Sequence, residues 1–128
     1  MLLVMYSKKL LDHFQNPRHV GELPPPALKV EVSNPACGDI MRLSARFEDD
    51  RIVEVRYLTR GCTASIAAGS ALTELLQGKT AKEAARLSRA DVEGVVGGLS
   101  AESKHAAVLA MDAVRVLIKA YKNPPKSR

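Results

Sequence analysis

Apolar and polar residues alternate on both sides of a short charged run near the middle of the chain. Every second residue of segments 41–47 and 53–57 is apolar, and the run Glu-Asp-Asp-Arg at 48–51 separates them. This alternation predicts a β-hairpin with one buried face. A two-residue loop would set apolar residues opposite charged ones, so the pattern favours a three-residue loop, because a slip of one residue turns every side chain to the other face. The predicted pairs are Phe47–Val53, Ala45–Val55 and Leu43–Tyr57.

A third alternating segment, residues 28–32, completes a predicted three-stranded antiparallel sheet. Helical periodicity dominates most of the remaining chain. Residues 63–77 have apolar residues at helical spacing and are followed by Gly78, which is typical of a helix C-terminus. Further helices are predicted over residues 7–16, 80–87, 88–97 and 101–122. The pattern therefore predicts an α+β fold, in which the sheet packs against several helices and the C-terminal helix is long.

Composition and charge narrow the functional classes. The chain has 128 residues, 46% of them apolar, which predicts a single domain over residues 1–128. The net charge of +5 is spread over many acidic and basic residues, and no basic run is interleaved with aromatic residues, so nucleic-acid binding is not expected. The apolar residues 1–5 are too few to span a membrane, and no signal peptide is evident. We expect a cytoplasmic protein with no membrane partner.

The two cysteines, Cys37 and Cys62, are the first candidates for chemistry. In a reducing compartment, paired cysteines are more often metal ligands or redox groups than structural bridges, although two separately buried thiols would also fit this count. The predicted hairpin register, extended past the strand ends, places Cys62 opposite Gly38, between Cys37 and Asp39. Two sulfurs and a carboxylate would then converge. Cys62 also begins a predicted helix, whose dipole favours a thiolate.

The three histidines are less informative by position alone. His13 and His19 lie far in sequence from either cysteine and are interpreted as surface or packing residues. His105 lies at the border of the polar and apolar faces of the last predicted helix. A border histidine is more often solvated or packed than a ligand. Helical periodicity does not place His105 near the cysteines.

Five short motifs, in order and with consistent spacing, give a more specific indication. They are DHFQNPRHVG at 12–21, NPACGDIM at 34–41, GCTASIAAGS at 61–70, GKT at 78–80 and KHAAVLAMDAV at 104–114. With these motifs the chain resembles the IscU/NifU family of iron–sulfur cluster assembly scaffolds, from residue 6 to about residue 121. The resemblance implies an exposed metal or cluster site at one end of a three-stranded sheet. It also implies a scaffold rather than an enzyme.

The resemblance also assigns residues and partners. Cys37, Asp39, Cys62 and His105 match the ligands of the family, while Ala106 stands where its third cysteine belongs. Two thiolates, an imidazole and a carboxylate still provide four ligands for zinc or iron, or for a [2Fe-2S] cluster. The implied partners are a cysteine desulfurase and recipient apo iron–sulfur proteins. Residues 99–103 replace the Leu-Pro-Pro-Val-Lys run that many IscU proteins present to a chaperone, so chaperone binding is not implied.

The third cysteine of the family is commonly given the role of accepting persulfide sulfur. Because Ala106 has no nucleophile for this role, two alternatives follow. One is a thiol-based sulfur-transfer protein in which Cys62 carries a persulfide and zinc holds the resting site. The other is a regulatory paralogue that binds the desulfurase and builds no cluster. Both alternatives retain the fold and the cysteine desulfurase as a partner. They differ from a scaffold because neither assembles a cluster at the site.

Overall fold

Three antiparallel strands form the sheet, in the order β1-β2-β3. The computed structural model describes residues 6–35 and 38–123. In chain order the elements are α1 (Lys8–Gln15), β1 (Leu28–Ser33), β2 (Ile40–Glu48), β3 (Arg51–Arg60), α2 (Thr63–Leu76), α3 (Ala81–Ala84), α4 (Arg89–Val95) and α5 (Lys104–Lys122). The predicted α+β architecture, with its three-stranded sheet and long last helix, is confirmed.

The β2–β3 hairpin has the predicted register over most of its length but a different turn. Ala45 pairs with Val55 and Leu43 with Tyr57, as predicted. The three-residue loop and the Phe47–Val53 pair were wrong, because Phe47 pairs with Ile52 across a two-residue turn. Both turn residues, Asp49 and Asp50, have left-handed φ angles of 50° and 67°, which a type I′ turn requires. A bulge after the turn then restores the register that buries the apolar face.

The apolar face of the sheet packs against α2 and α5, and small residues bring these layers close together. Fully buried alanines line both helices: Ala64, Ala67, Ala68 and Ala71 on α2, and Ala106, Ala107, Ala110 and Ala113 on α5. Gly69 of α2 lies directly against the ring of Tyr57 on β3, where an added Cβ would be 2.4 Å from two ring carbons. The middle of α2 is therefore held close to β3.

We expect Gly69→Ala to destabilise the fold by about 1–3 kcal/mol, the usual cost of overpacking a core. Gly94→Ala is the matched control, because Gly94 also lies within a helix but has nothing within 4 Å of an added Cβ. That control should gain about 0.5–1 kcal/mol from helix propensity. Urea unfolding of both variants measures the difference. Equal effects of the two substitutions would contradict the packing of α2 against Tyr57.

Two helix boundaries differ from the predicted ones. The last helix was predicted over residues 101–122, but Ala101–Ser103 form a 3₁₀ turn and α5 begins at Lys104. The turn is closed by the bond from the Ser103 amide to the Ser100 carbonyl. The helix predicted over residues 80–87 ends at Ala84. Within the described residues, no helix combines the length and apolarity that crossing a membrane requires.

Candidate metal site

Three separate elements meet at one end of the sheet. Asp39 directly precedes β2, Cys62 is the N-cap residue of α2, and His105 lies in the first turn of α5. Because Ile40 and Arg60 are paired at the end of the hairpin, the chain enters β2 and leaves β3 at the same end of the sheet. The sheet register therefore brings Asp39 and Cys62 together, and the packing of α5 adds His105.

The three side chains point their ligand atoms toward one another. Cys62 Sγ lies 3.4 Å from Asp39 Oδ2 and 3.6 Å from His105 Nε2, and His105 Nε2 lies 3.7 Å from Asp39 Oδ2. A tetrahedral zinc ion with ordinary bond lengths separates a sulfur ligand from a nitrogen or oxygen ligand by about 3.5 Å, and nitrogen from oxygen by about 3.3 Å. The spacing of these donors thus fits three corners of a tetrahedral site.

The orientation of His105 suits a metal ligand. Its Nδ1 lies 2.8 Å from the carbonyl oxygen of Glu102. A carbonyl only accepts hydrogen bonds, so Nδ1 carries the proton in this contact and Nε2 presents its lone pair to Asp39 and Cys62. Metal-bound histidines are usually fixed by such an outer hydrogen bond. The 3₁₀ turn before α5 supplies it, because it places the Glu102 carbonyl next to Nδ1.

Asp39 is the buried member of the group, with 5% of its surface exposed. Burial alone would raise the pKa of this carboxyl. Hydrogen bonds from Ser65 Oγ, Cys62 Sγ and the Cys62 amide outweigh burial and lower the pKa below its usual value. Asp39 is therefore ionised near neutral pH, and its Oδ2 is a negatively charged oxygen donor. Cys62 and His105 are partly exposed, so the site opens to solvent on their side.

The backbone before β2 fixes the position of Asp39. The amide of Asn34 donates to the Asp39 carbonyl at 2.9 Å, and the amide of Gly38 donates to the Asn34 carbonyl at 2.7 Å. Gly38 has a φ of 76°, a left-handed conformation that favours glycine. The loop between β1 and β2 is therefore tied across its base, with Asp39 at its end.

Comparisons with known proteins place the chain in a family. The family model described as the NifU-like N-terminal domain matches residues 5–128. The chain belongs to this family. It is 43% identical over 117 residues to the iron–sulfur cluster assembly scaffold protein IscU 1 of Archaeoglobus fulgidus, covering 91% of this chain and 76% of that protein. It is 40% identical over 118 residues to the scaffold protein IscU of Aquifex aeolicus, covering 91% and 75%.

A solved structure supports the fold of this NifU-like domain independently. The N-terminal part of a NifU-like protein from Brucella abortus superimposes with a TM-score of 0.59, covering 90% of this chain and 81% of that one. Sequence identity over the match is 20%. At that identity the likeness bears on the fold alone.

Three of the four ligands predicted for this NifU-like domain come together in the structure. Asp39, Cys62 and His105 form one group, whereas Cys37 lies outside the described residues. His13 and His19 contact α2 away from this group, through Ser70 and Thr73 respectively. The interpretation of these two histidines as packing residues rather than ligands agrees with those contacts.

Sequence reasoning missed two residues that shape the site of the NifU-like domain. Ser65 donates to Asp39 Oδ2 at 2.6 Å, and Gly61 lies against the same carboxylate. Ser65 follows Cys62 by three residues, a spacing that puts both on one face of a helix. That spacing was a usable signal. Nothing in the sequence pattern alone indicates the approach of Gly61 to Asp39.

Ala106 is the residue that the sequence resemblance matches to the third cysteine of the family. It follows His105 in the first turns of α5 and is fully buried. Its methyl group offers no electron pair to a metal or to sulfur. Within the described residues, the group of possible ligand side chains here is Asp39, Cys62 and His105, which includes a single sulfur.

Proposed function

We propose that this NifU-like domain is an iron–sulfur cluster assembly scaffold that carries a metal ion or a transient [2Fe-2S] cluster as its cargo. The proposed ligands are Asp39, Cys62 and His105, with Cys37 as the fourth on the strength of the sequence resemblance. The observation that carries the proposal is the meeting of an oxygen, a sulfur and a nitrogen donor, all within 4.8 Å of one another, from three distant parts of the chain.

The chemistry of these donors suits the cargo. Zinc accepts thiolate, imidazole and carboxylate ligands in a tetrahedral arrangement. A [2Fe-2S] cluster needs two terminal ligands on each iron, and mixed nitrogen and sulfur ligation occurs in Rieske centres. An oxygen and a nitrogen ligand in place of thiolates weaken the hold on a cluster. Weak retention agrees with a scaffold, whose cargo has to leave.

The burial of the donors supports loading and release from one side. Asp39 is buried beneath the site, while Cys62 and His105 are partly exposed at its opening. Cargo that enters through the opening meets the thiol and the imidazole on its way to the carboxylate. A partner protein that docks over the opening therefore has direct access to the cargo.

The proposed partners follow from the same role. A scaffold needs a sulfur donor, for which we propose a cysteine desulfurase, and a recipient, for which we propose apo iron–sulfur proteins. The curated relatives at 43% and 40% identity are named scaffold proteins, which supports a carrier rather than an enzyme. With two thiols in its site motifs, such a carrier is suited to the reducing cytoplasm.

Anaerobic reconstitution tests the proposal. The protein is incubated with ferrous iron and sulfide, desalted, and assayed for iron and sulfide per chain and for sulfur-to-iron absorption. We expect both elements to be retained and then to move to an added apo-ferredoxin. A variant with alanine at Asp39, Cys62 and His105 should retain neither.

Three outcomes would overturn the scaffold proposal. The first is a parent protein that retains neither iron nor zinc. The second is a protein that binds a cysteine desulfurase but holds no iron or sulfide, which indicates a regulatory paralogue. The third is a protein that holds zinc and gains a sulfur atom on Cys62 from a desulfurase, without forming a cluster. Mass spectrometry of the intact chain distinguishes the third outcome from the second.

A further inference from the structure

Ser65 lies one helical turn after Cys62 and is completely buried. Its hydroxyl donates to Asp39 Oδ2 at 2.6 Å, which is the short distance of a charge-assisted hydrogen bond. The same hydroxyl oxygen lies 3.4 Å from Cys62 Sγ. Ser65 thus contacts two of the three donors while having no access to solvent.

Gly61 also lies directly against the Asp39 carboxylate. A Cβ at Gly61 would lie 2.4 Å from the Asp39 carboxyl carbon, so only glycine permits this approach. The Cys62 amide donates to the same carboxylate. Three neighbours of Asp39 therefore come from one short segment, residues 61–65, which also provides the sulfur donor.

We propose that Ser65 is a positioning residue that fixes Asp39 as a ligand through Oδ2. The inference rests on the proposed function, since it concerns the same site. A carboxylate oxygen has two lone pairs, so Oδ2 accepts the Ser65 hydrogen bond with one and faces the cargo with the other. Holding Asp39 in this orientation beforehand removes the entropy cost of ordering it when cargo binds.

The bond also fixes the rotation of the Asp39 carboxylate about its Cβ–Cγ bond. Oδ2 is the oxygen closest to both Cys62 Sγ and His105 Nε2 in the structure. Without the Ser65 hydroxyl, the carboxylate is free to turn part of the way about the Asp39 Cβ–Cγ bond, which moves its donor oxygen away from the other two donors. Loss of an outer hydrogen bond of this kind typically lowers metal affinity by about 10–100-fold.

Ser65→Ala tests the inference, with Zn²⁺ affinity measured by competition with a chelator. We expect a loss of about 10–100-fold and a changed Co²⁺ absorption spectrum, because the oxygen ligand shifts. Ser70→Ala is the matched control, since Ser70 lies on the same helix and is equally buried. Its hydroxyl contacts His13 and the Arg18 amide instead, so Ser70→Ala should lower stability without changing Zn²⁺ affinity or the spectrum.

A double-variant cycle separates positioning from a general structural effect. In an Asp39→Ala background, Ser65→Ala should cause no further loss of Zn²⁺ affinity, because Ser65 acts through Asp39. A further loss of the same size there would overturn the inference, as would a parent-like affinity for Ser65→Ala alone. A parent that binds neither Zn²⁺ nor iron refutes the proposed function itself, which is a different outcome. Urea unfolding of each apo protein confirms that the compared chains are folded.

Discussion

Replacing Cys62 with serine should remove tight metal binding and leave the apo protein at least as stable as before. The thiol is the sulfur donor of the described group. Loss of an outer hydrogen bond lowers metal affinity by about 10–100-fold, and loss of the thiol ligand itself should lower Zn²⁺ affinity by more than that. Cys62 is also the N-cap residue of α2 and makes no capping bond with its side chain. Serine is among the best N-cap residues and could add up to about 1 kcal/mol.

Chelator competition and urea unfolding of the apo protein measure the two effects separately. The separation matters because a ligand at the start of a helix is easily confused with a residue that only stabilises the fold. His105→Gln serves as a second variant, as it removes a different donor from a different helix. Unchanged Zn²⁺ affinity in Cys62→Ser would show that the thiol does not face the cargo. A large loss of apo stability would show that its role is structural.

Ala106→Cys should increase the iron and sulfide that the protein retains after reconstitution and should lengthen the lifetime of the cluster. A third thiolate next to His105 would replace a weaker ligand, and we expect a change of about tenfold or more, the lower range for altered metal surroundings. The measurements are the stoichiometry of iron and sulfide and the decay of the cluster absorption under a chelator.

Ala107→Cys is the control for Ala106→Cys. Both alanines are fully buried and adjacent on α5, so each substitution adds the same sulfur atom to a packed interior at a similar cost. Successive residues of a helix point in directions about 100° apart, so the two sulfurs face different neighbours. Equal retention by the two variants would show that residue 106 does not face the site and that its match to the family's third cysteine is wrong.

The hairpin shows how far the sequence pattern constrains a fold. Alternation determines which face of a strand is buried, and it gave Ala45–Val55 and Leu43–Tyr57 correctly. It does not determine the loop, because a bulge can absorb one residue and restore the register. The consecutive left-handed conformations of Asp49 and Asp50 favour a tight turn that the alternation of the strands does not reveal.

The site shows the same limit at longer range. The approach of Asp39 to Cys62 followed from the register of the hairpin, since both lie just beyond its paired ends. The approach of His105 depends on how α5 packs against α2, which no local pattern describes, and only the family resemblance suggested it. Helical spacing alone predicts that Ser65 lies on the same helix face as Cys62. Its significance depends on Asp39, which comes from another part of the chain.

The buried donor and the partly exposed donors of the site have different roles. Asp39 is buried, held by Ser65 and enclosed by Gly61. Cys62 and His105 lie at the opening, each at the start of a helix whose position the core determines. A fixed donor lowers the entropy cost of binding, and accessible donors permit exchange with partners. This combination suits a protein whose cargo is both assembled and released.

X-ray absorption at the zinc edge of the zinc-loaded protein tests whether Asp39, Cys62 and His105 surround one ion. We predict one zinc per chain, with sulfur at about 2.3 Å and nitrogen and oxygen at about 2.0–2.2 Å, including the scattering pattern of imidazole. Stoichiometric zinc without sulfur or imidazole in its first shell, or no retained zinc at all, would contradict this prediction.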